Sequence, residues 1–139
     1  MLVERRPINN LIMIRLNPGD DVLASLKEAA EKNNIKNAVI LTGFGSTNTN
    51  HYHVVTSREI PPENTFVKEN GASDIVSLSG CILNGRVHAH ITHSDTRVAF
   101  GGHLEEGVHV LTFLSIFLAE VDYDFTGFDK AAKIEDVHK

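Results

Sequence analysis

The dipeptide Asn84-Gly85 constrains this chain more than any other feature. It stands between two runs of strand composition, Ile75 to Leu83 and Arg86 to His93. A two-residue loop there needs positive φ at both positions, which Asn and Gly adopt most readily, so the pair reads as a tight β-hairpin. Fixing the turn fixes the register, and register decides which side of the sheet each residue occupies. Along the second arm, His88 and His90 then project from one side, about 7 Å apart along the backbone. His93 shares the parity of Val87, Ala89 and Ile91 instead, which argues against it as a partner of the other two unless a bulge intervenes.

The flanking sequence supplies the remaining elements. Leu11 to Leu16 reads as a strand stopped by Asn17, Pro18 and Gly19. A helix over about 20–33 follows, with Asp20 as N-cap, Asp21 on the first turn, and Val22, Leu23, Leu26, Ala29 and Ala30 as an apolar stripe. Ala38 to Leu41 has the composition of a fully buried strand running into the loop Gly43-Phe44-Gly45-Ser46, for which a pocket wall and an ordinary tight turn are equal readings. His51 to Ser57 is a further strand closed by Pro61-Pro62, with irregular chain to about Ser73. Ser94-Asp95 turns the chain into a short strand, Arg97 to Phe100, followed by a loop from Gly101 to Gly107. Val108 to Val121 reads as a buried central strand. With 139 residues and 42% hydrophobic content, the expectation is one domain over 1–139, its core spanning about 11–121. The polar tail 122–139 carries at most one short helix.

Charge and cysteine content narrow the function classes. Asp plus Glu number 18 against 13 Lys plus Arg, a formal charge of -5, so the average field repels a phosphate backbone. Arg5 and Arg6 are the one adjacent basic pair, and no aromatic residues are interleaved with a basic cluster. The single cysteine, Cys81, cannot close an internal disulfide. No apolar run approaches membrane-spanning length and no cleavable leader is evident, so the expectation is a cytoplasmic protein without a membrane partner.

Histidine is the compositional anomaly, since seven of the eight lie between His51 and His109. Metal sites with an open position take three protein ligands, and His103 is the best third partner for His88 and His90 because the flanking Gly101-Gly102 removes side-chain bulk. Imidazole donors make zinc the first choice, with nickel, manganese and iron as alternatives. His51 and His53 form a second pair with three open placements, namely the same cavity, a separate weak site or a solvated edge, of which pocket lining is preferred. His109 is read as a hydrogen-bonded structural histidine, His138 as idle, and Glu105 and Glu106 as solvent-facing loop charges.

The segments RLNPGDDVLASL, GFGS, DIVSLSGCI, VHAHI and GGHLEEG, in this order between Arg15 and Val121, resemble the plants and prokaryotes conserved (PPC) domain. The resemblance implies an α+β domain, a strongly twisted and mostly antiparallel sheet flanked by one main helix, assembled as a homotrimer in prokaryotic members. It also implies histidine positions that fall on His88, His90 and His103. Plant members carry an AT-hook before the domain, whereas Glu4-Arg5-Arg6-Pro7 lacks the glycine of an Arg-Gly-Arg-Pro core. The fold of the family is similar to that of acetolactate decarboxylase and of zinc-dependent ester hydrolases, which implies a metal-dependent hydrolase or decarboxylase-like activity on a small molecule. Ser115 stands where many relatives carry a glutamate, which removes one acid-base group. Ser46, His51, His53 and Glu120 remain candidates for acid-base or supporting roles. A DNA-binding or protein-scaffold module, or a small-molecule sensor, are the alternative classes.

Overall fold

The computed structural model describes residues 1–137, so His138 lies outside the described residues. Its elements are β1 (Asn10–Leu16), α1 (Val22–Lys32), β2 (Ala38–Val55), β3 (Asn64–Leu83), β4 (Arg86–Ser94), β5 (Ala99–Leu104), β6 (Val110–Glu120) and a last short helix, α2 (Ile134–Val137). Asn84 and Gly85 have φ of 52° and 85°, the two positive values that a type I′ turn demands, and β3 and β4 pair from Leu83↔Arg86 outward.

The strands form one sheet in the order β1-β6-β2-β3-β4-β5, every pairing antiparallel, with β2 also pairing β5 at Tyr52↔Leu104 and His53↔His103. Bulges near Thr42, Thr47 and Thr49 bend β2 so that its first half pairs β6 and its end reaches β5. The sheet therefore closes on itself through β2, β3, β4 and β5. The core runs from Leu16 to Leu118 and includes Leu26, Leu78, Ile91, Leu104 and Leu114. Helix α1 buries Val22, Leu23, Leu26 and Ala30. Among the described residues, no helix is long and apolar enough to cross a membrane.

Several expectations need correction. Asp21, not Asp20, is the N-cap, accepting from Ala24 N at 2.9 Å, while Asp20 accepts from Asn17 N at 2.8 Å inside the preceding turn. Gly43 to Ser46 is no loop but the interior of β2, where Gly45 gives clearance to the Phe113 carbonyl of β6. Leu41 is exposed rather than buried. The stretch expected to be irregular up to Ser73 begins β3 at Asn64, because its polar side chains sit on solvent-facing sheet positions. The diglycine belongs to β5, not to a loop after it. β6 alternates between buried Val110, Leu114, Ile116 and Leu118 and outward Leu111 and Phe113, so it is buried on one face and not on both.

Candidate metal centre

Directly opposed residues of an antiparallel pair share a face. The registers His53↔His103 and His90↔His103 therefore line up three imidazoles across β2, β5 and β4, and His88 stands two residues along β4 on the same side. Ring centroids are 5.5 Å apart for His88 and His90, 4.9 Å for His88 and His103, and 5.5 Å for His90 and His103. Three imidazoles on one tetrahedral ion, with metal–nitrogen bonds near 2.1 Å, would have centroids about 5 Å apart. The centroid spacing is of that size, but His88, His90 and His103 do not form a set whose donor atoms all lie within 4.8 Å of one another.

Carboxylates fix the ring orientation. His88 Nδ1 donates to Asp129 Oδ2 at 2.8 Å, and both His53 Nδ1 (2.6 Å) and His103 Nδ1 (3.1 Å) reach Glu105 Oε1. With Nδ1 carrying the proton, Nε2 is left with its lone pair, the form a metal takes. Burial, followed by the neighbouring His88 and His53 charges, lowers the pKa of His90. Burial, followed by His53 and His88, lowers that of His103 against an opposing pull from Glu105. Both rings are thereby favoured as neutral ligands. At Asp129, burial acts to raise the pKa, but hydrogen bonds from His88 and Arg86 outweigh it and hold the carboxyl below its ordinary value.

Among the described residues, the set that brings one donor atom each within 4.8 Å of one another is His53, His103 and Glu105. Both contacts to Glu105 Oε1 have hydrogen-bond lengths, so an ion in that set would displace two N–H protons. His53 stacks on His103 at 4.3 Å with an interplanar angle of 22°, an arrangement of a flanking ring. All four rings line a cavity of about 560 Å³ together with Val54, Val55, Pro62, Asn64, Asp129 and Ala131.

Two side chains that hold these rings escape the sequence reading. Glu105, read as a solvent-facing loop charge, has a side chain only 24% exposed. Its position two residues after His103 was the available signal, hidden because the strand was expected to end at Phe100, which put His103 and Glu105 together in a loop. Asp129 comes from the tail, where no periodicity marks it. Glu106 is exposed as expected and pairs with Lys27 Nζ at 2.7 Å.

The other candidates disperse. His53 lines the cavity, but His51 turns its Nδ1 to the Glu106 carbonyl and stands outside it. Ser46 bonds Thr112 in a separate polar cavity with Asp74 and Asp95, and Glu120 accepts from Asn10 Nδ2 at 2.7 Å at the end of the sheet. Neither reaches the histidines, because β2 and β6 place them beyond the bend. Ser115 opposes Arg15 and Phe44, also away from the cavity. His109 is held by Thr49 Oγ1 at 2.8 Å, a structural contact. His93 lies on the opposite, fully buried face, as its parity implies.

Residues 4–122 match the Plants and Prokaryotes Conserved (PCC) domain. No curated protein matches the sequence. Among solved structures, a metal-containing protein from Archaeoglobus fulgidus superposes with a TM-score of 0.78 at 20% identity, covering 89% of this chain and 88% of that one. A plant- and prokaryote-conserved protein from Pyrococcus horikoshii gives 0.73 at 26% identity over 89% and 87%. A "putative DNA binding protein" from Bacteroides thetaiotaomicron gives 0.74 at 17% identity over 86% and 84%.

Proposed function

Because the chain belongs to the Plants and Prokaryotes Conserved domain family, we propose that it binds one divalent metal ion, zinc first, through His88, His90 and His103, and that the cavity beside them takes a small molecule. The observation that carries this reading is the set of three centroid separations of 4.9 to 5.5 Å, combined with carboxylate partners on two of the three Nδ1 atoms. Carboxylate-locked imidazoles are the usual surroundings of such ions. A fold relative described as metal-containing points the same way.

Within this reading, Glu105 and Asp129 orient the ligand rings, His53 flanks them as a polar contact for the bound molecule, and Val54, Val55 and Pro62 give the cavity its apolar lining. When bound, the ion supplies Lewis-acid polarisation of a carbonyl or lowers the pKa of a water. A metal-dependent hydrolase or decarboxylase-like activity fits that donor set, and the likeness to acetolactate decarboxylase implied by the sequence motifs favours it. Cytoplasmic residence and homotrimeric assembly belong to the same proposal. The trimer rests on the exposed apolar face formed by Met13, Phe44, Phe113 and their neighbours.

Elemental analysis of untagged protein is the test. About one zinc per chain is expected, and its loss in His90→Ala. Wild-type protein without metal after zinc loading would sink the reading. The competing DNA-binding module has its own test. A gel shift at physiological salt that is tight, sequence-selective and unchanged by His88→Ala would replace the small-molecule site with a nucleic-acid surface, against the net charge of -5.

A further inference from the structure

The family match ends at residue 122, yet the chain beyond it supplies part of the histidine cavity. Asp124 Oδ1 and Thr126 Oγ1 both accept from Asn84 Nδ2 at 2.9 Å, so this segment is anchored on the same hairpin turn that launches His88. Phe125 is buried and meets Tyr123 and Phe128 edge-on, with centroids 5.4 and 5.1 Å away. Two tight turns follow, Phe128 N to the Phe125 carbonyl at 3.1 Å and Lys130 N to the Gly127 carbonyl at 3.2 Å. They deliver the Asp129 carboxylate between Arg86 and His88 and set Ala131 in the cavity lining.

We propose that residues 122–131 are a strap belonging to the metal site, in which Asp129 is a positioning residue for His88 and strap docking and metal binding reinforce each other. This rests on the reading that His88 is a ligand. Docking places a proton acceptor on Nδ1, which turns the Nε2 lone pair toward the cavity; a metal on Nε2 in turn strengthens Nδ1–H as a donor to Asp129. Linkage requires the two effects to be equal in size. Apart from buried Phe125 and Gly127, the residues of the strap are at least partly exposed, so it opens more readily than the core and its order is sensitive to such coupling.

The experiment uses full-length untagged protein with Zn2+ or Co2+ as the only added probe. In chelator competition, Asp129→Ala should bind zinc about 10- to 100-fold more weakly. Asp129→Asn, which retains an acceptor oxygen, should lose less. The visible absorption of the Co2+ form should change in Asp129→Ala, a signature that loss of a distant structural contact does not produce. Zinc should slow tryptic cleavage after Lys130 and Lys133 in wild type by a similar factor, and not in Asp129→Ala. Should that variant fold poorly, Phe128→Ala, at a position 47% exposed, loosens the anchor without touching the core and should weaken zinc in the same direction. Wild-type zinc affinity and an unchanged Co2+ spectrum in Asp129→Ala, or cleavage indifferent to zinc in wild type, overturns the strap. Absence of zinc uptake by wild type instead defeats the ligand assignment on which it stands.

Discussion

His93 shows how a single ring sets the acid limit of this fold. Its side chain is 0% exposed and sits among Thr47, Asn50 and Ser73. Its Nδ1 faces both hydroxyls at 3.3 to 3.4 Å, and its Nε2 is buried without a hydrogen-bond partner among the described residues. Burial lowers its pKa to about 4. The folded state therefore resists a proton that the unfolded chain binds near 6.5, so stability is complete above 6.5 and falls as pH drops from there to about 4. The full effect is about 3 kcal/mol. Urea unfolding of chelator-treated protein at pH 7, 5.5 and 4.5 measures it, and His93→Phe should flatten most of the decline; an equal decline in that variant would assign it elsewhere. A second ring-level expectation concerns Glu105. Glu105→Ala frees Nδ1 of both His53 and His103 and should weaken zinc binding about 10- to 100-fold, read by competition with a chromophoric chelator.

At the level of elements, the diglycine of β5 has a different purpose from the one its sequence suggests. A Cβ at Gly102 would collide with the His53 carbonyl and meet Val54 Cγ1 at 2.9 Å, and one at Gly101 would collide with the Ile91 carbonyl. The two glycines let β5 lie close against β2 and β4, which is what stacks His103 on His53 and sets it opposite His90. Gly102→Ala should therefore lower stability by about 1 to 3 kcal/mol in denaturant unfolding and reduce zinc per chain in the same preparation. Unchanged metal content would separate β5 spacing from the site. That His88, His90 and His103 line one cavity was legible because the logic of His88 and His90 is local, a turn and a period of two, and His103 follows one short strand later. The long strands were harder to read. Gly43 to Ser46 carries turn residues, but in β2 those glycines serve close strand approach, and only the partner strand reveals that use. Asn64 to Ser73 is polar because both faces of that arm meet solvent, which erases the alternation a reader looks for. Asp129 was invisible for a related reason, since its partner lies 41 residues away and the contact exists only after the tail folds back.

For the whole molecule, one face of the sheet is left without cover by the described residues of its own chain. The helix and core occupy the other side, while Met13, Phe44 and Phe113 remain exposed on adjacent strands. Phe44 meets Phe113 edge-on at 6.1 Å and stacks with Phe117 at 6.5 Å, and the Arg15 guanidinium lies over Phe113 at 5.9 Å. An apolar patch made of contiguous aromatic rings is a surface that association would bury, with about 25 cal/mol gained for each Å² removed from water. A second and third copy of the chain, related by a closed symmetry, would give each protomer the same cover. Phe113→Glu sets a carboxylate in the middle of that patch. It should convert a species of about three times 15.3 kDa into one near 15.3 kDa in light scattering after size exclusion. The histidine cavity is lined from β2, β4, β5 and the strap of the same chain, so zinc uptake should survive the change. A wild-type protein already monomeric at micromolar concentration would remove the trimer and leave that apolar face to another partner. Loss of zinc together with loss of assembly would show instead that the metal pocket needs a neighbouring protomer to stay closed.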